Sequence, residues 1–178
     1  TTLLAGREVI SVAGSHGKST STAMLALILT AANIPAGHML GARPDGLDGV
    51  NARMGAHPLL VAETCEAFRG LDHWAPAHCL VTNVDDEHSE HYATPAALQS
   101  AFADLVSRVP DDGAIVLSGD DPYLSALAAR LGDRVLTFGL TSGNRVRPDH
   151  VRLDDGASHF DLIVDDVPLG HVHLAVPG

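Results

Sequence analysis

Short apolar runs punctuate the chain at Arg7–Ala13, Leu59–Ala62, Cys79–Thr82, Ala114–Leu117 and Val135–Phe138. Their length and β-branched content predict buried parallel strands. Segments with helical spacing separate several of them. Lys18 opens an apolar helix that ends near Asn33-Ile34-Pro35. Pro95–Val109 follows Thr94, which can cap it, and Asp121-Pro122 supplies an N-cap and a proline at the first helical position. This alternation predicts an α/β fold over residues 1–140, a P-loop-type, mostly parallel, doubly wound sheet flanked by helices. After Thr141 the period changes to alternation, through Val151-Arg152-Leu153, then Phe160, Leu162 and Val164, then Val172, Leu174 and Val176. Residues 141–178 therefore read as a small antiparallel β lobe of the same domain. Gly41–Gly55, rich in glycine and aspartate, reads as a mobile loop, and no internal repeat interrupts the pattern.

Composition narrows this picture. With 46% apolar and 19% charged residues over 178 positions, the chain packs a core of about one domain. The apolar stretch Ala23–Ala32 falls short of the ~20 residues that cross a bilayer, and Thr1–Arg7 lacks the pattern of an export signal. A cytoplasmic location and no membrane partner are expected. The net charge of -11 opposes a nucleic-acid partner. It leaves a nucleotide open, because screening over ~8 Å makes only nearby groups decisive. Cys65 and Cys79 signal neither a disulfide framework nor a zinc site.

Of the eleven basic side chains only Lys18 is lysine, and it lies in Gly14-Ser15-His16-Gly17-Lys18-Ser19-Thr20, between the first strand and the first helix. There, backbone N–H groups and the helix dipole converge on one spot that suits a phosphate chain. The glycines let the backbone approach, Lys18 neutralises β and γ oxygens, Ser19 can ligate Mg²⁺, and Thr20 adds a donor. The strict G-x-x-x-x-G-K-[ST] pattern places its first glycine at Val12, so this loop is shorter than usual. An ordinary glycine turn capping a helix is the bland alternative. A loop exposed in this way contributes little to the core, so Lys18→Ala is expected to remove ATP binding and leave the fold intact.

Glu63 and His88 follow strands, on the edge where such sheets bind ligands. A carboxylate there can hold Mg²⁺ directly or through water. Glu66, Asp85, Asp86, Glu87 and Glu90 read equally well as solvated acids. His73, His78, His159, His171 and His173 read as exposed or hydrogen-bonded residues without a functional role.

The same motifs resemble the Mur ligase family, whose glycine loop G-T-x-G-K-[ST] also lacks the first glycine. Ala13-Gly14-Ser15-His16-Gly17-Lys18-Ser19-Thr20 is similar to the A-G-T-H-G-K-T-T of its alanine-adding branch. Glu63-Thr64-Cys65-Glu66-Ala67-Phe68-Arg69 resembles E-A-C-E-Y-R-R, and Thr82–His88 resembles T-N-I-x-x-D-H, with Glu87 in place of the aspartate. Tyr92, Ser118–Pro122 and Leu174–Gly178 also fit the family's central domain.

The resemblance implies an ADP-forming carboxylate–amine ligase of peptidoglycan precursor synthesis that uses ATP and Mg²⁺. It implies that L-alanine is joined to UDP-N-acetylmuramate through an acyl phosphate. It further implies that Lys18 holds the phosphates, that Ser19 and Glu63 bind one Mg²⁺, that His88 helps hold a second ion near the acceptor carboxylate, and that Asn83 lies near the nucleotide. The family's N-terminal UDP-binding and C-terminal amino-acid domains are missing partners, so this chain alone is expected not to ligate. A ligase of muropeptide recycling or folylpolyglutamate synthesis, and a non-catalytic nucleotide-binding module, are the alternatives.

Overall fold

The computed structural model describes residues 4–85, 91–154 and 156–175. The first apolar run forms strand β1 (Glu8–Ala13), whose Val9, Val12 and Ala13 are buried. The chain then turns at Gly17 into helix α1 (Lys18–Ala31). Two strands follow, β2 (Gly37–Met39) and β3 (Ala52–Arg53). Then come β4 (Leu59–Glu63) and β5 (His78–Val81), with a 3-10 segment at Ala67–His73 between them. Helix α2 (Pro95–Ser107) begins where the Thr94 side chain accepts from the Ala97 amide at 3.2 Å, with Pro95 in the first turn.

The chain divides into two compact units, residues 1–115 and 116–178. In the first, the strand order is β3-β2-β4-β1-β5. β1 pairs in parallel with both β4 and β5, β2 pairs in parallel with β4, and β3 adds to β2 antiparallel. Parallel strands covered by helices should read as unbroken apolar runs. Leu60, Val61 and Ala62 of β4 are all fully buried. Helix α2 contributes Leu98, Phe102, Leu105 and Val106. Arg108, just past its end, donates to the carbonyls of Asp72 at 2.8 Å and Leu71 at 3.0 Å, which fastens the 3-10 segment. Burial pushes the Cys79 thiol up to about 12, with Arg108 opposing, so this thiol is an inert core group.

Strand β6 (Ile115–Ser118) leads into the second unit, which continues with helix α3 (Pro122–Leu131), capped by Asp121 through the Leu124 amide at 2.8 Å. Strand β7 (Val135–Phe138) pairs in parallel with β8 (Val146–Asp154). β9 (Ala157–Val164) and β10 (Val167–Leu174) complete an antiparallel meander with β8. The fold class is thus α/β, with mostly parallel strands in the first unit and antiparallel strands at the C-terminal end. Gly41–Gly55, read from the sequence as a mobile loop, contains β3 and a 3-10 turn at Asp45–Leu47. Among the described residues, no helix is long and apolar enough to cross a membrane.

Candidate functional site

Because β1 lies between β4 and β5 and runs parallel to both, the C-terminal ends of these strands share one edge of the sheet. The loop Gly14–Gly17 leaves the central strand there. Its geometry depends on glycine at two positions. Gly14 has φ +134°, and a Cβ on it would come within 2.1 Å of Thr82 Oγ1, while Gly17 has φ +78° at the N-cap of α1. No side chain among the described residues caps this helix. The amide-rich turn thereby keeps the positive end of the helix dipole open to an anion.

The segment after β5 clamps the loop from one side. Ser15 N–H donates to Asn83 O at 3.0 Å. Asn83 Oδ1 accepts from His16 N at 2.8 Å, and its Nδ2 donates to His16 O at 3.1 Å. Thr82 Oγ1 donates to His16 O at 2.6 Å. Ser15 Oγ accepts from Asp85 N at 2.8 Å and donates to Asp85 O at 3.1 Å. Asn83, expected near a nucleotide, spends its amide group on the His16 backbone and so fixes the loop.

From the other side, β4 ends in Glu63. Its Oε2 accepts from Ser19 Oγ at 2.7 Å and from the Gly41 amide at 2.7 Å. Thr20, one residue on, is exposed in the first turn of α1. Glu63 and Ser19 therefore present a carboxylate and a hydroxyl together beside the loop, a hard-oxygen pair that fits a small divalent cation such as Mg²⁺. Among the described residues, no three His, Cys, Asp or Glu side chains gather into a metal-holding group. An ion on this pair would complete its shell with phosphate oxygens and water, as Mg²⁺ commonly does. His88, together with Asp86, Glu87 and Glu90, lies outside the described residues.

Lys18 is where the structure departs most from the sequence reading. Its side chain is only 10% exposed, and Nζ donates to Gly14 O at 2.6 Å and Ser15 O at 2.9 Å. Nζ also lies 3.1 Å from Glu66 Oε2, and that carboxylate is 2% exposed. Glu66 is therefore a buried ion-pair partner and not a solvated acid. The expectation that Lys18 sits in an exposed loop is corrected by the same contact, which removes the premise on which Lys18→Ala is expected to leave the fold intact. No local spacing in the sequence singles out Glu66, which follows the strand end that carries Glu63 and meets Lys18 across 48 positions. His78, by contrast, serves the fold, accepting from Ala114 N at 2.9 Å and facing Glu8 at 2.8 Å.

Comparison with known proteins points to one family. The family model of the Mur ligase middle domain matches residues 12–178. The UDP-N-acetylmuramate–L-alanine ligase of Kineococcus radiotolerans is 38% identical over 179 residues, covering 99% of this chain and 37% of the relative. The crystal structure of the UDP-N-acetylmuramate-alanine ligase of Thermotoga maritima superimposes with a TM-score of 0.83 at 25% identity, covering 99% of this chain and 39% of that one. The UDP-N-acetylmuramate:L-alanyl-gamma-D-glutamyl-meso-diaminopimelate ligase of Neisseria meningitides gives 0.82 at 27% identity, covering 99% and 58%. The chain thus spans little more than a third of the curated relative's length. With the family model matched over residues 12–178 and a relative 38% identical across 99% of the chain, the chain belongs to the Mur ligase family and corresponds to its middle domain.

Proposed function

We propose that this chain is the ATP- and Mg²⁺-binding middle portion of a ligase of peptidoglycan precursor synthesis that joins L-alanine to UDP-N-acetylmuramate. The observation that carries the reading is the Ser19–Glu63 contact of 2.7 Å beside a loop bearing the only lysine of the chain. The loop amides and Lys18 bind the phosphates, and Ser19 and Glu63 hold the ion. Magnesium, when bound, neutralises charge on the phosphate oxygens. Asn83 and Thr82 keep the loop in shape. His88 has the role of helping to hold a second ion near the acceptor carboxylate.

In the reaction, a carboxylate oxygen of the sugar nucleotide attacks the γ-phosphorus, the bond to ADP breaks, and an acyl phosphate forms. The amine of the amino acid then attacks the acyl carbon, phosphate leaves, and the nitrogen loses a proton. What the chain supplies is positioning and charge neutralisation, the main resources of phosphoryl transfer. The acceptor and amino-acid sites belong to the N- and C-terminal domains of the family, so the chain alone binds Mg-ATP and does not ligate.

Isothermal titration of the chain with ATP, with and without Mg²⁺, tests this. Binding that Mg²⁺ strengthens, and that loses its Mg²⁺ dependence in Glu63→Gln, is the expected result. Mg²⁺-independent binding in the unaltered chain would remove the role given to Glu63. A second reading, a ligase that takes a tripeptide, draws on the similar fit of the Neisseria structure. Assaying the full-length gene product with L-alanine against a tripeptide separates the two.

A further inference from the structure

An ammonium group has three N–H donors. In Lys18 two of them meet neutral carbonyls of its own loop, Gly14 O at 2.6 Å and Ser15 O at 2.9 Å. The remaining contact is the Glu66 carboxylate, with Oε2 at 3.1 Å and Oε1 at 3.3 Å. All three donors are committed. A phosphate that needs Lys18 has to displace one of these acceptors, and Glu66 is the only one that carries charge. Both partners are largely shielded from water, where a charge-assisted bond is strong and a lost counter-ion costly.

We infer that Glu66 is a positioning residue that holds Lys18 in reserve, so that a nucleoside polyphosphate and this carboxylate compete for the same ammonium. The inference rests on the reading of the loop as an ATP site, and it adds a control on affinity that the G-K-S sequence does not contain. The strand end after β4 then plays two opposed parts. Glu63 supports the hydroxyl of Ser19, on the side that favours Mg-ATP. Glu66, three residues later, ties up the lysine and disfavours polyphosphate. Neutralising Glu66 destabilises the nucleotide-free protein more than the bound one, because bound phosphates supply the missing negative charge. By linkage, affinity for the polyphosphate rises.

The experiment titrates the chain and its Glu66→Gln variant with ATP and with AMP in excess Mg²⁺, alongside thermal melts without nucleotide. Glu66→Gln is expected to melt lower than the unaltered chain and to bind ATP roughly three- to tenfold more tightly. AMP affinity should not move, since its single phosphate does not reach the β and γ positions that Lys18 serves. ATP affinity that is unchanged or weakened by the substitution overturns the inference. Equal tightening for ATP and AMP overturns it too, since that would be a general loosening of the site. If Glu66→Gln does not fold, Glu66→Asp retains the charge on a shorter arm and should tighten ATP by a smaller factor, and no tightening there has the same adverse meaning. An unaltered chain that binds neither nucleotide would instead remove the ATP-site reading beneath it.

Discussion

The loop edge of the first unit and the meander of the second both carry many charged groups, yet they place them differently. At the loop, Lys18 and Glu66 are withdrawn from water, and Ser15 is 3% exposed. In the meander, Arg145 faces Asp165 at 2.6 Å, Arg147 faces Asp166 at 2.8 Å, and Asp161 lies between His150 and His171, on surfaces largely open to solvent. Geometry alone would rank the two arginine pairs as stronger, because at 2.6 and 2.8 Å they are shorter than the 3.1 Å between Lys18 and Glu66. Burial reverses the ranking. Exposed pairs are screened and contribute little, whereas removing one member of a buried pair strands a charge. The difference teaches that chemistry in this domain is found where a charge has been taken out of water, and short contacts elsewhere mark only surface order.

The strongest way to break that comparison is Lys18→Ala. It should lower ATP affinity by about a hundredfold or more, since the loop loses its only ammonium. It should also cost on the order of 3 kcal/mol of stability by leaving Glu66 buried without this cation. Calorimetry and denaturant melts read the two effects separately. A variant as stable as the parent would show that the Lys18–Glu66 pair is energetically neutral, and the contrast between the two regions would fail.

Much of the fold was legible before the coordinates, and the reason is local. Thr94-Pro95 and Asp121-Pro122 announced helices α2 and α3 because a cap and a proline act within one turn of the residues that encode them. The run at 59–62 announced a strand because burial on both faces demands continuous apolar side chains, and the run at 135–138 did so through its short apolar, β-forming content, although only Val135 is buried. β2 and β3 were not legible. With three and two residues they carry no pattern, and they exist because the edge of β4 offers hydrogen bonds to Gly37–Met39. At the candidate site, Gly14, Lys18, Ser19 and Glu63 could be read from motif and strand end. Glu66 could not, because its burial depends on packing that no local spacing encodes. Asn83 was placed near the nucleotide, while its clamp on His16 spans 67 positions of sequence and shows only in three dimensions.

A middle case sharpens the comparison. Asp120 is largely exposed, yet its carboxylate accepts from the Thr141 hydroxyl at 2.7 Å, the Thr141 amide at 3.2 Å, the Leu140 amide, and Asn144 Nδ2 at 2.9 Å. Partial burial acts to raise its pKa, but the donors outweigh that and hold it below the usual carboxylate range. Gly119 and Gly139 leave room for this knot, since a Cβ on either would meet Asn144 within 2.5 Å. Asp120→Ala should cost roughly 1–2 kcal/mol after allowance for solvent screening. A folded-state pKa that is depressed gives stability above the unfolded value, near 3.9, and loses it as pH falls through the folded one. Thermal melts from pH 6 down to pH 3 should therefore converge for the parent and Asp120→Ala. Curves that stay parallel would mean the knot does not titrate.

The smallest effect belongs to the histidine face of the meander. Asp161 accepts from His150 Nδ1 at 2.9 Å and His171 Nδ1 at 3.1 Å. Its hydrogen bond, followed by the charge of Asp149, raises the His150 pKa, while bonds from His150 and then His171 lower that of Asp161. The raised histidine stabilises the fold below its unfolded value near 6.5, and that gain is lost as pH rises through the folded value. The lowered aspartate acts above its unfolded value near 3.9, so the pair contributes between these limits. On the same face His159 stacks on His171 at 5.9 Å and on His173 at 4.5 Å. Because His150 is exposed and Asp161 only partly covered, His150→Gln should lower the melting temperature only slightly near pH 5.5, less than Asp120→Ala does at pH 6. It should change nothing at pH 8, and 0.5 M salt should erase the difference. A large, salt-resistant loss at pH 5.5 would place this exposed cluster beside the buried Lys18–Glu66 pair in energetic weight and dissolve the distinction between the two regions.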